Sequence, residues 1–488
     1  MRLSELLVGF DYDVTRGYGD PVVSGIVYDS RKVKPGCVFI CIHGDRVNSH
    51  EFVSSAIDEG ARVIVYSEEL TTWDNSVHYV KTPDTRKALA CISAAWFGHP
   101  ADKLTVVGVT GTKGKTTTTY LIRGMLEKAG YKTGLIGTVG AIIGDEVLHT
   151  PNTTPESYIL QEYFAKMVEK GITHVVMEAS SQGFLLHRTD GFVFDYGILT
   201  NISPDHIGPG EHRDMNDYIE CKSMMFRQCR IGIVNADSDY LDEVLKGHTC
   251  EIVSYSIDSP SDLKAKDLKF EKKGRELGME FSMEGILNTE AYVCNPGLFS
   301  VYNALSACAL GAAMHIGLDH ILAALAETHV KGRIEPVEVS DDFHVLIDYA
   351  HNAMALENLL VTLKEYKPKR LVCLFGCGGN RSSLRRFEMG EVSGKYADLT
   401  VITSDNPRFE EPAAIISDIK KGIMKTSGRH MDIENRVEAI DWVLRNAEKG
   451  DIIVLAGKGH EDYQEIKGKR YPMDERVIVK ELMEKIKA

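Results

Sequence analysis

The chain has 488 residues, 43% hydrophobic and 26% charged, the make-up of an ordinary folded protein of about three domains. Its net charge of −14 argues against a general nucleic-acid binder but leaves room for a few Lys and Arg to hold a polyanion in a cleft. No apolar run reaches the roughly 18–20 residues of a membrane span, and the opening MRLSELLVGFDYD meets acidic residues too early for a secretory signal. A cytoplasmic protein that engages neither membrane nor nucleic acid is therefore expected.

Residues 1–99 alternate strand-like runs (38–42, 62–66) with helical ones (51–59, 85–97). Gly98-His99-Pro100 marks a first boundary, where a helix stops. Ten cysteines are present without a CxxC pair; Cys37 and Cys41, and likewise Cys373 and Cys377, have a spacing that puts each pair on one strand face. Zinc and disulfides are open to such pairs, but buried reduced thiols are the expectation.

From residue 104 the pattern becomes strand, Gly-rich turn, helix. Val109-Thr110-Gly111-Thr112-Lys113-Gly114-Lys115-Thr116-Thr117 joins the strand at 104–109 to a helix that Gly130 stops. Glycines let backbone N–H groups approach an anion, and the helix N-terminus adds a favourable dipole. Lys115 would reach the β- and γ-phosphates and the Thr116 hydroxyl a Mg²⁺ ion. Val109 stands where the strict phosphate-loop motif wants Gly, so a plain strand-to-helix turn is the competing reading. Downstream, the strand at 173–177 ends in Glu178-Ala179-Ser180-Ser181. An acid at a strand's carboxyl end is either a Mg²⁺ ligand or a helix cap.

Residues 213–228 carry an apolar stripe of Met215, Tyr218, Ile219, Met225 and Phe226 at helical spacing, with Lys222 inside it. Such a lysine either snorkels outward or is buried, with its pKa lowered and its amine neutral and nucleophilic. A neutral amine can take up CO₂ to give an anionic carbamate.

A second boundary falls at Lys331-Gly332-Arg333. Beyond it four apolar strands run into polar loops: Asp348-Tyr349-Ala350-His351, Gly376 to Arg381, Ser404-Asp405-Asn406-Pro407-Arg408, and Gly457-Lys458-Gly459-His460-Glu461. Ligands bind outside the carboxyl ends of parallel strands, so these loops are expected to line one cleft. Arg381 and Arg408 against Asp405 and Glu461 complement an amino acid bearing both ammonium and carboxylate. The whole pattern predicts an α/β chain of three domains: residues 1–99, a central P-loop domain on a parallel mononucleotide-binding sheet at 100–330, and a Rossmann-like domain at 331–488.

Gly111 to Thr117 also resembles the Gly-Thr-x-Gly-Lys-Thr-Thr loop of the Mur ligase family, and the further motifs fit that family in order. The resemblance implies an ATP-dependent ligase of cell-wall peptide synthesis, in which the three domains hold the UDP end of the substrate, ATP and the incoming amino acid. It makes Gly111, Thr112, Lys113, Gly114, Lys115, Thr116, Thr117, Asn303 and Arg333 ATP-binding residues. Thr116, Glu178 and His206 become metal ligands, the last within Ser203-Pro204-Asp205-His206. Lys115, Lys222 and His206 become catalytic, with Lys222 carried as N6-carboxylysine. Ser30, within Asp29-Ser30-Arg31 and near His43-Gly44-Asp45, joins Thr153, Thr154, Ser180 and Arg188 in holding the UDP-muramoyl peptide. Arg381, Asp405, Asn406, Pro407, Arg408, Gly457 and Glu461 are implied to bind the amino acid. Asp405-Asn406-Pro407-Arg408 resembles the motif that accompanies meso-diaminopimelate, whose distal carboxylate would answer Arg408; lysine lacks that group.

The implied reaction adds meso-diaminopimelate to UDP-N-acetylmuramoyl-L-alanyl-D-glutamate through an acyl phosphate, with Mg²⁺ as cofactor, ATP as co-substrate and a monomer as the working form. Departures from the family are Leu186 for a frequent Gln, Asn380 for a frequent Asp, and the segment 382–386. Rival readings are a lysine-adding member, a folate-type ligase, and a P-loop protein that hydrolyses ATP without joining substrates.

Overall fold

The structure, a computed structural model, describes residues 1–44, 47–205, 207–208 and 211–487. The chain divides into two compact units, residues 1–263 with 306–321 and residues 264–305 with 322–488. Both are α/β.

In the first unit, strands Ile26–Val27, Val38–Ile40, Val63–Tyr66 and His78–Lys81 lie parallel in that order, and Asp13–Arg16 adds an antiparallel edge. The central strands read as unbroken apolar runs because both faces are covered. Val38, Ile40, Val63 and Val65 pack with Leu89 and Ile92 of helix Thr85–Trp96, while Cys37, Phe39, Cys41 and Ile64 fill the other side. The helix expected over 51–59 opens instead as a 3₁₀ turn, Ser49–Phe52, and becomes α-helical only over Val53–Asp58. Asn48 sets that tighter start by accepting from the His50 N–H.

A second sheet in this unit carries the parallel strands Glu251–Ser256, Cys229–Asn235, Phe194–Leu199, Thr105–Thr110, His174–Glu178 and Thr133–Gly137, in that spatial order. Gly140–Ile143 and Glu146–Leu148 extend it antiparallel. The chain enters at Thr105–Thr110, fills one side, then crosses to the other, so the sheet's switch point lies at that strand's carboxyl end. Helix Met215–Arg227, capped by Asp214 accepting from the Asp217 N–H, approaches this sheet closely. A Cβ at Gly108 or Gly197 would fall 2.7 or 2.8 Å from Met225, so glycine there sets the helix–sheet distance.

In the second unit, strands His344–Asp348, Ile452–Ala456, Leu371–Phe375, Leu399–Ile402 and His430–Asp432 are parallel neighbours in that order, with Glu335–Pro336 antiparallel at one edge. Asp348, Ala456, Phe375 and Ile402 stand level in register. Four carboxyl ends therefore open along one edge, as the strand-loop pattern predicts. Leu356, Leu360, Ile415 and Ile419 cover one face, and Ile440, Val443 and Val479 the other. A separate antiparallel hairpin, Tyr463–Ile466 with Lys469–Pro472, follows the last of these strands. All ten cysteines are free and buried, in line with reduced thiols. Among the described residues, no helix is long and apolar enough to cross a membrane.

Candidate active site

The turn at the switch point has the geometry that a phosphate loop needs. Gly111 has φ +141°, and a Cβ there would sit 1.9 Å from Thr200 Oγ1; Gly114 has φ +87°. The clash excludes any side chain at Gly111, and the positive φ favours glycine at Gly114. The loop is tied down from the neighbouring strand end: Thr200 Oγ1 donates to Lys113 O (2.6 Å), and the Lys113 N–H donates to Asn201 Oδ1 (3.0 Å). The buried Thr112 Oγ1 is 2.9 Å from the Tyr218 hydroxyl and accepts from the Ser203 N–H at 3.0 Å. Lys115 Nζ folds back onto the loop, donating to Gly111 O (2.8 Å) and Thr112 O (3.1 Å), while Lys113 Nζ reaches outward to Asp205 (2.9 Å). Thr117 lies in the first turn of helix Lys115–Lys128.

Glu178, 1% exposed, ends the strand beside the loop. Its Oε1 accepts from Thr116 Oγ1 at 3.0 Å and from the Thr138 N–H at 2.9 Å, and Oε2 accepts from Thr138 Oγ1 at 3.1 Å. It caps no helix; Ser180 does that, accepting from the Gly183 N–H. A Cβ at Gly137 would lie 2.3 Å from Glu178 Oε1, so a bare backbone is what admits the carboxylate. A Thr hydroxyl and a carboxylate side by side are the hard oxygen donors that Mg²⁺ prefers. The residues present fit that ion.

Lys222 does not snorkel. It is 1% exposed, its Nζ donates to Gly111 O at 3.0 Å, and it sits 4.6 Å above the centre of the Tyr218 ring. Burial, then the nearby Lys115 cation, hold its pKa well below the ordinary lysine value. The same burial pushes Tyr218 up to about 12. Two lysines thus point at one loop carbonyl. His206 lies outside the described residues.

In the second unit, the Asp405-Asn406-Pro407-Arg408 turn is built into the row of strand ends. A Cβ at Gly379 would meet Pro407 O at 1.9 Å, and one at Gly457 would meet Asp405 Oδ2 at 2.8 Å. Asn406 Nδ2 donates to Glu461 Oε2 (2.8 Å), and its Oδ1 accepts from Lys458 Nζ (3.1 Å). Lys458 is wholly buried and also 3.2 Å from Glu461. Arg408, at φ +53°, sends Nη1 to Gly379 O at 2.9 Å. Arg381 is exposed, its Cγ 4.0 Å from where a Gly378 Cβ would sit. The Arg333 guanidinium lies 4.9 Å above the Tyr349 ring, which in turn meets the His460 ring at 4.8 Å. Burial, helped by the Arg333 cation, lowers His460 to about 4. Asn303 is buried within helix Leu298–Ala313.

Comparison with known proteins bears on this arrangement directly. Residues 22–97 match the Mur ligase family catalytic domain, 109–311 the Mur ligase middle domain, and 332–459 the Mur ligase glutamate ligase domain. The chain belongs to the Mur ligase family.

A curated relative from Caldanaerobacter subterraneus subsp. tengcongensis, a UDP-N-acetylmuramoyl-L-alanyl-D-glutamate–2,6-diaminopimelate ligase, is 42% identical and covers 99% of each chain. One of the same name from Clostridium perfringens is 39% identical over 99% of this chain and 100% of its own. A solved structure of a ligase with that name superposes with a TM-score of 0.72 at 28% identity, covering 96% of each chain. Like other Mur ligases this is an ATP-dependent ligase of peptidoglycan synthesis, and its fold is the family's three-domain α/β architecture.

In this Mur ligase the segment expected to hold the muramoyl peptide clusters around Glu178. Thr154 Oγ1 donates to Glu178 O (3.0 Å) and lies 3.0 Å from Ser180 Oγ. Arg188 Nη1 donates to Thr154 O (3.1 Å), and its Nη2 pairs with Glu156 (2.7 Å). Thr153 Oγ1 lies 3.1 Å from Thr138 Oγ1. Ser30 opens a short 3₁₀ turn, Ser30–Lys32, capped by Asp29; Asp45 lies outside the described residues. Several contributors are not marked for the site by sequence: Thr138, Thr200 and Tyr218 around the loop, and Lys458 under the Asp-Asn-Pro-Arg turn. Lys458 was readable only as one polar residue of a strand-end loop. The fully buried Arg436–Glu475 pair (2.7 Å), whose Arg436 Nη2 donates to Ala456 O at 2.9 Å, fixes the level of that strand end.

Proposed function

We infer that this Mur ligase joins meso-diaminopimelate to the D-glutamyl carboxylate of UDP-N-acetylmuramoyl-L-alanyl-D-glutamate at the expense of ATP. The full-length likeness to relatives of that name carries the reading, and the Asp405-Asn406-Pro407-Arg408 turn supports it chemically. A carboxylate oxygen of the peptide attacks the γ-phosphorus, forming a C–O–P link as ADP departs. The amine nitrogen then attacks the acyl carbon, phosphate leaves with the bridging oxygen, and the nitrogen sheds a proton.

Charge gathers on the γ-phosphoryl oxygens in the first step. Lys115 is the cation to neutralise it once its loop carbonyls yield it, and the loop N–H groups position the phosphates. Thr116 and Glu178 would hold Mg²⁺, which when bound withdraws charge from the phosphoryl oxygens. We assign Lys222 as a carbamate: its buried neutral amine adds to CO₂, forming an N–C bond and releasing a proton, and the new carboxylate lies beside the loop. His206 is proposed to serve with it at a second ion. Asn303 and Arg333 are proposed to contact the nucleotide. Ser30, Thr153, Thr154, Ser180 and Arg188 are proposed to hold the UDP-muramoyl peptide.

Arg408 would grip the distal carboxylate of diaminopimelate bidentately, with Arg381, Asn406, Gly457 and Glu461 around the amino acid and Asp405 and Pro407 shaping the turn. The division of labour proposed is 1–99 for the UDP end, 100–330 for ATP and 331–488 for the amino acid. Phosphate release with UDP-muramoyl-dipeptide and a panel of amino acids tests the reading. Release should require both the dipeptide and meso-diaminopimelate; release with ATP alone, or with L-lysine equally, would contradict it.

A further inference from the structure

Arg408 is held by more than its own turn. The hairpin strand Tyr463–Ile466 docks against the Asp-Asn-Pro-Arg turn along its length. The Arg408 N–H donates to Glu465 O at 3.0 Å, the Glu465 N–H donates to Asn406 Oδ1 at 2.9 Å, and the Lys467 N–H donates to Arg408 O at 2.6 Å. The side chains repeat the pairing: Glu465 Oε2 lies 3.5 Å from Arg408 Nε, and both are only about a quarter exposed, 24% and 27%. One hydrogen bond, from Nη1 to Gly379 O, and the ion pair with Glu465 at 3.5 Å together restrain the guanidinium. Nη2 makes no hydrogen bond among the described residues.

We propose that Glu465 is a positioning residue that sets the substrate specificity of this site. It holds the Arg408 fork ready for a carboxylate at the far end of a diamino acid. This rests on the assignment of Arg408 to such a carboxylate, made under Proposed function. An arginine side chain has many rotamers, and ordering it costs affinity unless it is ordered beforehand. Glu465 supplies that order through charge, and the hairpin backbone supplies it to the Cα. The benefit reaches only a substrate with a distal carboxylate. An amino acid with a bare distal ammonium does not use the fork and gains nothing from its orientation. Asn406 is set in part by the same strand, because the Glu465 N–H donates to its Oδ1, which also accepts from Lys458 Nζ of the preceding loop.

The test is steady-state kinetics of amide formation with meso-diaminopimelate and with L-lysine, on the wild-type chain and on Glu465→Gln, Glu465→Asp and Arg408→Ala. Glu465→Gln keeps size and backbone bonds. It should raise KM for diaminopimelate about ten-fold, the scale of one preorganised charged contact. Its kcat should stay within about two-fold and its KM for lysine should not change. Glu465→Asp should fall between, and decides the question if the Gln variant fails to fold. An equal effect on both amino acids, or none, overturns the proposal. If Arg408→Ala lowers the preference for diaminopimelate while Glu465→Gln does not, this inference alone has failed. If Arg408→Ala leaves the preference unchanged, or diaminopimelate is no substrate, the underlying reading has failed with it.

Discussion

Replacing Lys222 by Met separates stability from activity. Before it takes up CO₂, Lys222 is 1% exposed and its amine, among the described residues, donates to Gly111 O alone, at 3.0 Å. Removing that bond loses about 1 kcal/mol, and the carbonyl is not orphaned because Lys115 Nζ still donates to it at 2.8 Å. The loss is offset by relief of a buried amine's desolvation, about 1–3 kcal/mol, and Met fills similar space with adaptable packing. Stability should therefore stay level or rise by up to about 2 kcal/mol.

The pH behaviour should change too. Because the folded-state pKa of Lys222 is lowered, the unfolded chain binds more protons between that lowered value and about pH 10.4, so this group makes the wild type gain stability as pH rises through that window. The variant should lose that part of the slope. Amide formation should meanwhile fall by about 10²-fold or more, the scale for losing one preorganised charged group. Melting curves at pH 7 and 9 beside phosphate-release rates check both arms. A variant that melts well below the wild type, or that keeps full activity, refutes the reasoning.

Lys115→Ala should abolish ADP release measured by coupled assay, since it removes the cation nearest the proposed phosphate site; persistent release would place ATP elsewhere. Arg408→Ala should lower kcat/KM for meso-diaminopimelate by roughly 10²-fold or more and for L-lysine far less, as read in the amide-forming assay. Lys222→Ala should lose activity and regain part of it with added acetate or another short carboxylate, which stands in for the carbamate. His187, between Asp190 (2.9 Å) and Asp84 (3.2 Å), is raised from 6.5 to about 9 by those hydrogen bonds. Its contribution is full below pH ~6.5 and lost as pH rises through about 9, on the order of 1–2 kcal/mol after allowing for its partial exposure. Urea unfolding at pH 6 and 9.5 should show that difference in the wild type and not in His187→Gln.

Motifs with local geometry were legible in the sequence. Gly111 and Gly114 announce a turn whose backbone can approach an anion, and the polar ends of four apolar runs announce one edge of a parallel sheet. Lys222 stood out because a charge interrupted a helical stripe, though the stripe could not say whether the amine left the core or stayed. The structure puts it inside, because its carbonyl partner belongs to a residue 111 positions away. Contacts of that range have no periodicity to reveal them. Tyr218 reads as stripe, yet its hydroxyl holds the loop through Thr112. Glu465 lies in no motif of the sequence, yet it meets Arg408 by backbone and side chain. The helix expected at 51–59 shortened because Asn48 caps a tighter turn than hydrophobic spacing implies.

If an acyl phosphate links ATP cleavage to amide formation, one oxygen of the D-glutamyl carboxylate must leave in the phosphate. Labelling the D-glutamyl carboxylate of the UDP-muramoyl-dipeptide with ¹⁸O and analysing the released phosphate by mass spectrometry tests it most directly. One labelled oxygen per phosphate is the predicted result. Unlabelled phosphate, released while the amide forms, would contradict it.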